Sequence, residues 1–454
     1  MRRVLVANRG EIAVRIVRAC FDEGVDCVVA ASSVDKDSLA ARLADGVVVI
    51  GPPQARDSYL SVERIVAAAL NTGCDAVHPG YGFLSERPEL AEACEKHGLT
   101  FVGPPAGVMR RSGDKLRSRE VALSLGIPTG GGTQALASVD EAIAAADRLD
   151  SFPYILKASA GGGGRGMTIV RDIGDLQRGF DISRHEAEVA FGDGTVYLER
   201  YVENARHIEV QILADQHGSV VHLGERDCSA QRRHQKLVEE APAISLPPGV
   251  ADGIRSSAVA LARELDYVGA CTVEFLVDLS RGDFIFLELN ARVQVEHPVT
   301  EMVTGIDIVR AQLRIARGEP LGFSQDDVVL SGHSIECRIN AEDPRADFLP
   351  NPGRIDEWVV PQGVGVRVDT YVQPGVTIPP FYDSMVAKVI VHGRDRRDAL
   401  TLMGRALAHL RVGGIVTTTP LHQAIVAEPE FVDQPITTRW LEESFLPRWQ
   451  AGSD

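Results

Sequence analysis

Between Glu288 and Glu301 the chain reads E-L-N-A-R-V-Q-V-E-H-P-V-T-E. Polar and apolar residues alternate without a break from Glu288 to Glu296. That period predicts a strand with Glu288, Asn290, Arg292, Gln294 and Glu296 on one face and Leu289, Ala291, Val293 and Val295 on the other. A solvated edge strand is the plain reading of such a pattern, but two features argue for chemistry. The residues leading in, Phe284 to Leu287, are apolar on both faces, so the polar face emerges from a buried strand. Upstream, Cys271 to Val277 reads as a second strand, and Ser280-Arg281-Gly282 reads as the turn of a hairpin with glycine in the left-handed position. A three-residue loop there sets Glu274 opposite Glu288, on the face that carries Asn290. Two carboxylates and an amide oxygen at one point repel unless a cation lies between them, and hard oxygen donors suit magnesium, which shares its remaining positions with water and substrate phosphates. Beyond that point Arg292, Gln294 and Glu296 offer a cation, a hydrogen-bonding amide and a carboxylate base.

A second constellation lies upstream. Tyr154-Ile155-Leu156-Lys157 reads as a strand ending in a lysine, followed by Gly161-Gly162-Gly163-Gly164-Arg165-Gly166 and a further strand, Met167 to Val170. Consecutive glycines let backbone N–H groups close on phosphate oxygens and let a loop open and shut. A P-loop needs Lys and then Ser or Thr after its last glycine; here Met167 and Thr168 follow and the lysine precedes. Residues 130 to 202 read as a small β-rich lid, with Val196 to Val202 as the strand returning to the body. Gly113-Asp114-Lys115 sits in a polar helical connector, where Lys115 taken alone reads as solvated.

The elements that must hold these groups follow in order. Val4 to Ala7, a helix from Glu11 through Cys20 and the strand Asp26 to Ala31 form a parallel βαβ unit that opens a doubly wound α/β domain. Asn8-Arg9-Gly10 lacks the spaced glycines of a dinucleotide fingerprint. His78-Pro79-Gly80-Tyr81-Gly82-Phe83 follows the strand Ala76-Val77 at the carboxyl end, where such sheets place ligands; an ordinary loop fits this piece equally well. Two further strands alternate: His207, Glu209 and Gln211 oppose Ile208, Val210 and Ile212, and Glu336, Arg338 and Asn340 oppose Ile335, Cys337 and Ile339. Polar faces on three strands predict one sheet looking into a cleft. The run Glu225 to Lys236 is dense in cations, yet it has no interleaved aromatics and the chain's net charge is -16, so small anions rather than nucleic acid are the expected partners. Seven cysteines without metal-ligand spacing fit a reducing compartment. No apolar run is long enough to cross a membrane, and the first strand leaves no room for a signal peptide.

Assembled, these motifs resemble the biotin carboxylase family of ATP-grasp enzymes. The resemblance is carried by ANRGEIA at 7–13, HPGYGFLSE at 78–86, GDK at 113–115, KASAGGGGRGM at 157–167, RHIEVQ at 206–211, ERDCSAQRRHQK at 225–236 and NARVQVEHPVTE at 290–301. It implies a mixed α/β and α+β architecture: a doubly wound pre-ATP-grasp domain at 1–112, an ATP-grasp domain at 113–330 with a mobile lid at 130–202, and a carboxy-terminal domain at 331–440. It implies nucleotide contacts from Lys115, Lys157, Gly161, Gly162, Gly163, Gly164, Gly166, Glu199, Arg200, Val202 and His207, with Gln231 and His234 nearby. Magnesium or manganese falls to Glu274, Glu288 and Asn290. Bicarbonate falls to Lys236, Arg292, Gln294, the Val295 backbone and Glu296, and biotin to Arg338 with Tyr81 close by. Two departures stand out: Arg200 replaces the family's usual hinge lysine, and the hairpin carrying Glu274 and Glu288 is two residues longer than in the bacterial form. Neither removes a chemical group.

The implied activity is ATP- and bicarbonate-dependent carboxylation of biotin through carboxyphosphate, the first half-reaction of an acyl-CoA carboxylase, with acetyl-CoA as the leading acceptor and fatty acid synthesis as its setting. No Met-Lys pair occurs, so biotin is expected on a separate carrier protein, with a carboxyltransferase as a further partner. A cytoplasmic homodimer with no nucleic-acid or membrane partner completes the expectation. Another ATP-grasp ligase would share the lid and metal pair but not the Arg292, Gln294, Glu296 and Arg338 set. A nicotinamide oxidoreductase lacks its fingerprint, and a non-catalytic scaffold of this fold would have shed lysines and carboxylates that are present here.

Overall fold

The computed structural model describes residues 1–149, 152–159 and 167–452. Near the amino terminus β1 (Arg3–Val6), β2 (Asp26–Ser32), β3 (Gly46–Gly51), β4 (Ala76–His78) and β5 (Thr100–Phe101) form a parallel sheet ordered β3-β2-β1-β4-β5. Alternate residues of β1 feed different cores. Val4 and Val6 pack with Ile12 and Ile16 of the helix Gly10–Asp22, whereas Leu5 joins Ile65 of Val62–Asn71 and Leu90 of Pro88–Lys96. Burial of both faces is why these strands read as unbroken apolar runs. The strand order reverses beside β1, and the crevice such a reversal opens lies at the carboxyl ends. There Asn8 Nδ2 donates to the carbonyls of Pro79 and Tyr81, both at 2.7 Å. Gly80 has φ +64°, and a Cβ on it would stand 2.9 Å from Asn8 Nδ2, so only glycine fits this turn.

A smaller unit follows, with β6 (Tyr154–Ala158) between β7 (Met167–Val170) and β8 (Val196–Arg200), all antiparallel. It is less strand-rich than the sequence reading anticipates, because the helices Val139–Ala146 and Ile173–Phe191 cover the sheet. Leu176, Phe180, Ser183 and Ala187 recur at helical spacing and are fully buried, an amphipathic signal overlooked beside the glycine run. Gly161, Gly162, Gly163, Gly164 and Gly166 lie outside the described residues. So does the side chain of Lys115, which opens the helix Lys115–Ser124.

The body is one eight-stranded sheet built from β9 (Ala205–Ala214), β10 (Val220–Arg232), β11 (Gln235–Ala241), β12 (Gly269–Asp278), β13 (Asp283–Asn290), β14 (His333–Asn340), β15 (Val366–Thr370) and β16 (Met385–Gly393). The order is β13-β12-β9-β10-β11-β14-β16-β15, antiparallel throughout. The apolar residues of β9, β12 and β13, among them Ile208, Val210, Val273, Phe275 and Leu289, pack on Ile254, Ala258 and Leu261 of the helix Val250–Glu264. At the far end Ile335, Ile339 and Val389 pack on Ala399 and Met403 of Arg396–His409. With one face spent on helices, the polar residues of every strand are left on the other. Among the described residues no helix is long and apolar enough to cross a membrane.

Candidate active site

The polar face is assembled by register. Glu288 of β13 pairs with Glu274 of β12, Glu274 with Glu209 of β9, and Glu209 with Arg226 of β10, a charged row across four strands. The Glu274–Glu288 pairing agrees with the sequence reading, but by another route. Asp278 pairs with Asp283, so the turn holds four residues, and one residue of offset is then taken up by a bulge between the Glu274–Glu288 and Phe275–Phe286 pairs. Turn and bulge offset each other, and the carboxylates land together.

The strand itself ends at Asn290, so the alternation to Glu296 is not one extended face as the pattern suggests. Residues 291–296 form an irregular turn into the helix His297–Thr304, whose Pro298 fits only a first turn. The polar side chains converge all the same, held by hydrogen bonds instead of pleat. Arg292 donates to Gln294 Oε1 (2.9 Å), Asn290 Oδ1 (3.1 Å) and Glu86 Oε2 (2.9 Å). Gln294 Nε2 donates to Glu274 Oε1 at 3.3 Å.

At the centre stands Lys236, whose ammonium lies 2.6 Å from Glu209 Oε2, 3.0 Å from Glu274 Oε1 and 2.6 Å from Glu296 Oε1. The other oxygen of Glu296 accepts from Arg338 Nη2 at 3.0 Å, and Arg338 Nε donates to Glu239 at 2.6 Å. Burial alone would strip the lysine of its proton, yet Cys228 and the three carboxylates raise its pKa well above the ordinary lysine value. Burial likewise opposes a charge on Glu296, but Lys236, Arg338 and Arg226 hold it well below the usual carboxylate range. The site therefore keeps a fully buried, ionised carboxylate between two cations. Glu239 is pushed up to about 7 by burial, with Arg338 opposing.

The residues fit a divalent cation at one point. Asn290 Nδ2 lies 3.1 Å from Glu274 Oε1 and 3.3 Å from Glu288 Oε1, so two carboxylates and an amide already converge, and an amide flip would present oxygen. Ligand atoms of His207, Glu209 and Glu274 also lie within 4.8 Å of one another, but the Lys236 ammonium already serves as the cation for two of them. His207 Nε2 bonds Glu274 Oε2 at 2.9 Å, which ties the base of this site to the row.

Other expected residues lie around this cluster. Lys157 forms an ion pair with Glu199 on the three-stranded sheet, and Arg119 Nη1 stands 3.8 Å from the same carboxylate. Val202 joins Ala205 and Ile285, with Leu276 packed on them, in a small apolar cluster. Arg200 turns away to Asp278 (3.4 Å) and Asp283 (3.7 Å) at the end of the hairpin. His234 sits exposed in the β10–β11 turn, and Gln231 is buried beside it, donating to the Cys228 carbonyl at 3.4 Å. Tyr81 donates its hydroxyl to Glu11.

The sequence reading missed Arg226 as a site residue. It is fully buried and bonds Glu209 (2.5 Å), Gln211 (2.8 Å), Thr300 (2.9 Å) and Thr272 (3.0 Å). Its position one residue after Glu225 in a cationic run was the only signal, and partners on four different elements left no trace in the linear order. Glu239, which orients Arg338, and Glu86, which holds Arg292, were missed for the same reason.

Comparison with known proteins agrees with this geometry. Residues 114–324 match the ATP-binding domain of the carbamoyl-phosphate synthase L chain, which sets the body among ATP-dependent ligases. Residues 1–109 match the biotin carboxylase N-terminal domain and residues 336–443 the biotin carboxylase C-terminal domain. One of the two kinds of pyruvate carboxylase polypeptide in Methanothermobacter thermautotrophicus is 48% identical over 97% of this chain and 89% of its own length. Biotin carboxylase 1 of Bacillus subtilis is 46% identical over 97% and 98%. The biotin carboxylase domain dimer of Hydrogenobacter thermophilus 2-oxoglutarate carboxylase, solved with MgADP, ADP and bicarbonate, superposes with a TM-score of 0.93 at 47% identity, covering 97% of both chains. The chain belongs to the biotin carboxylase family and is an ATP-dependent ligase.

Proposed function

We propose that this chain carries out the first half of a biotin-dependent carboxylation, joining bicarbonate to N1′ of biotin at the expense of ATP. The observation that carries this reading is Glu296, fully buried yet ionised, in contact with Lys236 on one oxygen and Arg338 on the other. A base held deprotonated between cations is what an incoming bicarbonate requires.

In this reading Lys236 and Arg292 gather the anion with Gln294 and the Val295 backbone, and Glu296 takes its proton. A bicarbonate oxygen attacks the γ-phosphorus in line, the bond to ADP breaks, and carboxyphosphate forms. Carboxyphosphate then divides into carbon dioxide and phosphate. The phosphate takes the N1′ proton of biotin, Arg338 steadies the oxygen that becomes enolate-like, and N1′ bonds to carbon dioxide; Tyr81 lines the biotin side. Glu274, Glu288 and Asn290 would hold magnesium or manganese, which when bound offsets phosphate charge. Lys115, Lys157 and the glycines from Gly161 to Gly166 would hold the phosphates. Glu199, Arg200, Val202 and His207 would hold the rest of the nucleotide, with Gln231 and His234 nearby. Phosphoryl transfer asks for positioning and charge more than covalent help, and this set supplies both.

Biotin arrives on a separate carrier protein, and a carboxyltransferase takes the carboxyl group onward, with acetyl-CoA as the acceptor and a cytoplasmic setting that seven buried free cysteines support. The names of the relatives favour a second acceptor class, a 2-oxo acid, since they include a pyruvate carboxylase polypeptide and a 2-oxoglutarate carboxylase domain. The dimer of the latter supports a homodimer here. The test is ADP release from purified protein with ATP, magnesium and bicarbonate, with and without free biotin. Bicarbonate-dependent turnover stimulated by biotin is expected; tight ATP binding without such turnover, even with a biotinylated carrier domain, contradicts the proposal.

A further inference from the structure

Lys388 lies on β16, far along the chain from the groups described above, and is fully buried. Its ammonium donates to the Val295 carbonyl at 2.8 Å and pairs with Glu11 Oε1 at 3.1 Å. Glu11, on the first helix and 2% exposed, receives the Tyr81 hydroxyl on the same oxygen. The chain of contacts therefore runs from the loop after β4, through the helix after β1 and the carboxy-terminal strand β16, to the turn that delivers Gln294, Val295 and Glu296. Lys388 also stands directly across from Arg338 on β14 and from Asp369 on β15. A lysine so buried is costly unless its charge and donors are used. Glu11, Glu336 and Asp369 overcome the effect of burial and keep it protonated.

We propose that Lys388 is a positioning residue for the bicarbonate end of the site: anchored by Glu11 and Tyr81, it fixes the Val295 carbonyl and through it the placement of Glu296. The Val295 carbonyl and the Glu296 N–H belong to one planar peptide unit, so holding the oxygen orients the start of Glu296. The turn 291–296 has no regular secondary structure of its own, and a side chain from another strand supplies what a ladder partner otherwise would. The inference rests on the carboxylation reading given above.

The experiment uses the full chain and removes the bond without leaving a buried charge. Lys388→Met alone strands Glu11, so the informative protein is the double variant Lys388→Met/Glu11→Gln, with Glu11→Gln alone as a second. Urea unfolding is measured beside the KM values for bicarbonate and for ATP. The double variant is expected to unfold near the wild-type midpoint, to raise the bicarbonate KM about tenfold or lower kcat to the same extent, and to change the ATP KM by less than about twofold. Glu11→Gln, which keeps the bond to Val295 but loosens its anchor, moves the same parameter by about threefold. A double variant with wild-type bicarbonate kinetics overturns the inference, as does one whose ATP and bicarbonate KM values rise together. If the double variant does not fold, an unchanged bicarbonate KM in Glu11→Gln overturns it and a selective rise supports it. A wild-type protein without bicarbonate-dependent turnover overturns the carboxylation reading and, with it, this inference.

Discussion

Glu296 and Arg338 touch each other at 3.0 Å, yet the proposed chemistry divides them: one takes a proton from bicarbonate, the other steadies biotin. Their bonds run to Lys236 and Glu239, on the bicarbonate and biotin side of the cleft. Glu296→Gln and Arg338→Ala are therefore each expected to lower carboxylation by about 100-fold or more while leaving ATP affinity within about twofold, measured by calorimetric titration beside steady-state rates. Equal losses of nucleotide affinity in both would sink the division of roles. Arg226 is a different case, because it serves the row from beneath. Arg226→Met leaves Glu209, which burial already pushes up, without its strongest partner. Breaking a buried pair from one side costs about 3–5 kcal/mol, so the variant is expected to unfold at markedly lower urea concentration. An unchanged midpoint would mean that the row does not depend on this guanidinium. Arg292, Gln294 and Glu296 were legible as a polar alternation, whereas Arg226 was not, since its four partners come from β9, β12 and the helix after the turn.

Among the elements, the β12–β13 hairpin decides whether a divalent cation has a site at all. Its four-residue turn and single bulge compensate, so that Glu274, Glu288 and Asn290 share one point. Deleting Leu287 at the bulge removes that compensation and sends Glu288 and Asn290 to the opposite face, because side chains alternate with a period of two. The expected outcome is loss of Mn2+ binding, read by electron paramagnetic resonance, with the fold kept by the helix Val250–Glu264 on the apolar side. Retained binding would show that the register resets elsewhere. The sequence reading obtained the pairing from a three-residue loop, and reached the right partner because loop length and bulge enter the register with opposite sign. A strand expected to run to Glu296 stopped at Asn290 because the turn's backbone groups find partners outside the sheet, Glu86 and Lys388 among them. No local pattern announces such partners.

For the whole molecule, pH should act through buried imidazoles. Burial depresses His78 and His297 to about 3 and His422 to about 4. Each stays neutral in the fold while the unfolded chain takes a proton below about 6.5, so their stability is full above that pH and is lost as pH falls from there. Glu239, raised to about 7, acts in the opposite sense: the folded chain takes its proton first, and that contribution is lost as pH rises through 7. Comparing wild type with His422→Gln isolates one imidazole. Between pH 7 and 5.5 the unfolding free energy of wild type is expected to fall more steeply, by up to about 1.4 kcal/mol per pH unit, and equal slopes would contradict the assignment. His422 also donates to the Arg338 carbonyl at 2.6 Å, one of many ties that close over the sheet from distant segments. At this scale the division between sequence and structure is plain. Periodicity and turn residues are properties of neighbours in the chain, so the parallel opening unit, the three polar-faced strands, the lysine before the glycine run and the acid pair were determined by sequence alone. Which strands adjoin, that a single sheet joins β9 to β16, and that Lys236 meets three carboxylates from three other segments depend on long-range register and burial. Those are decided only when the apolar faces find their helices and leave the charged face no other partner than itself.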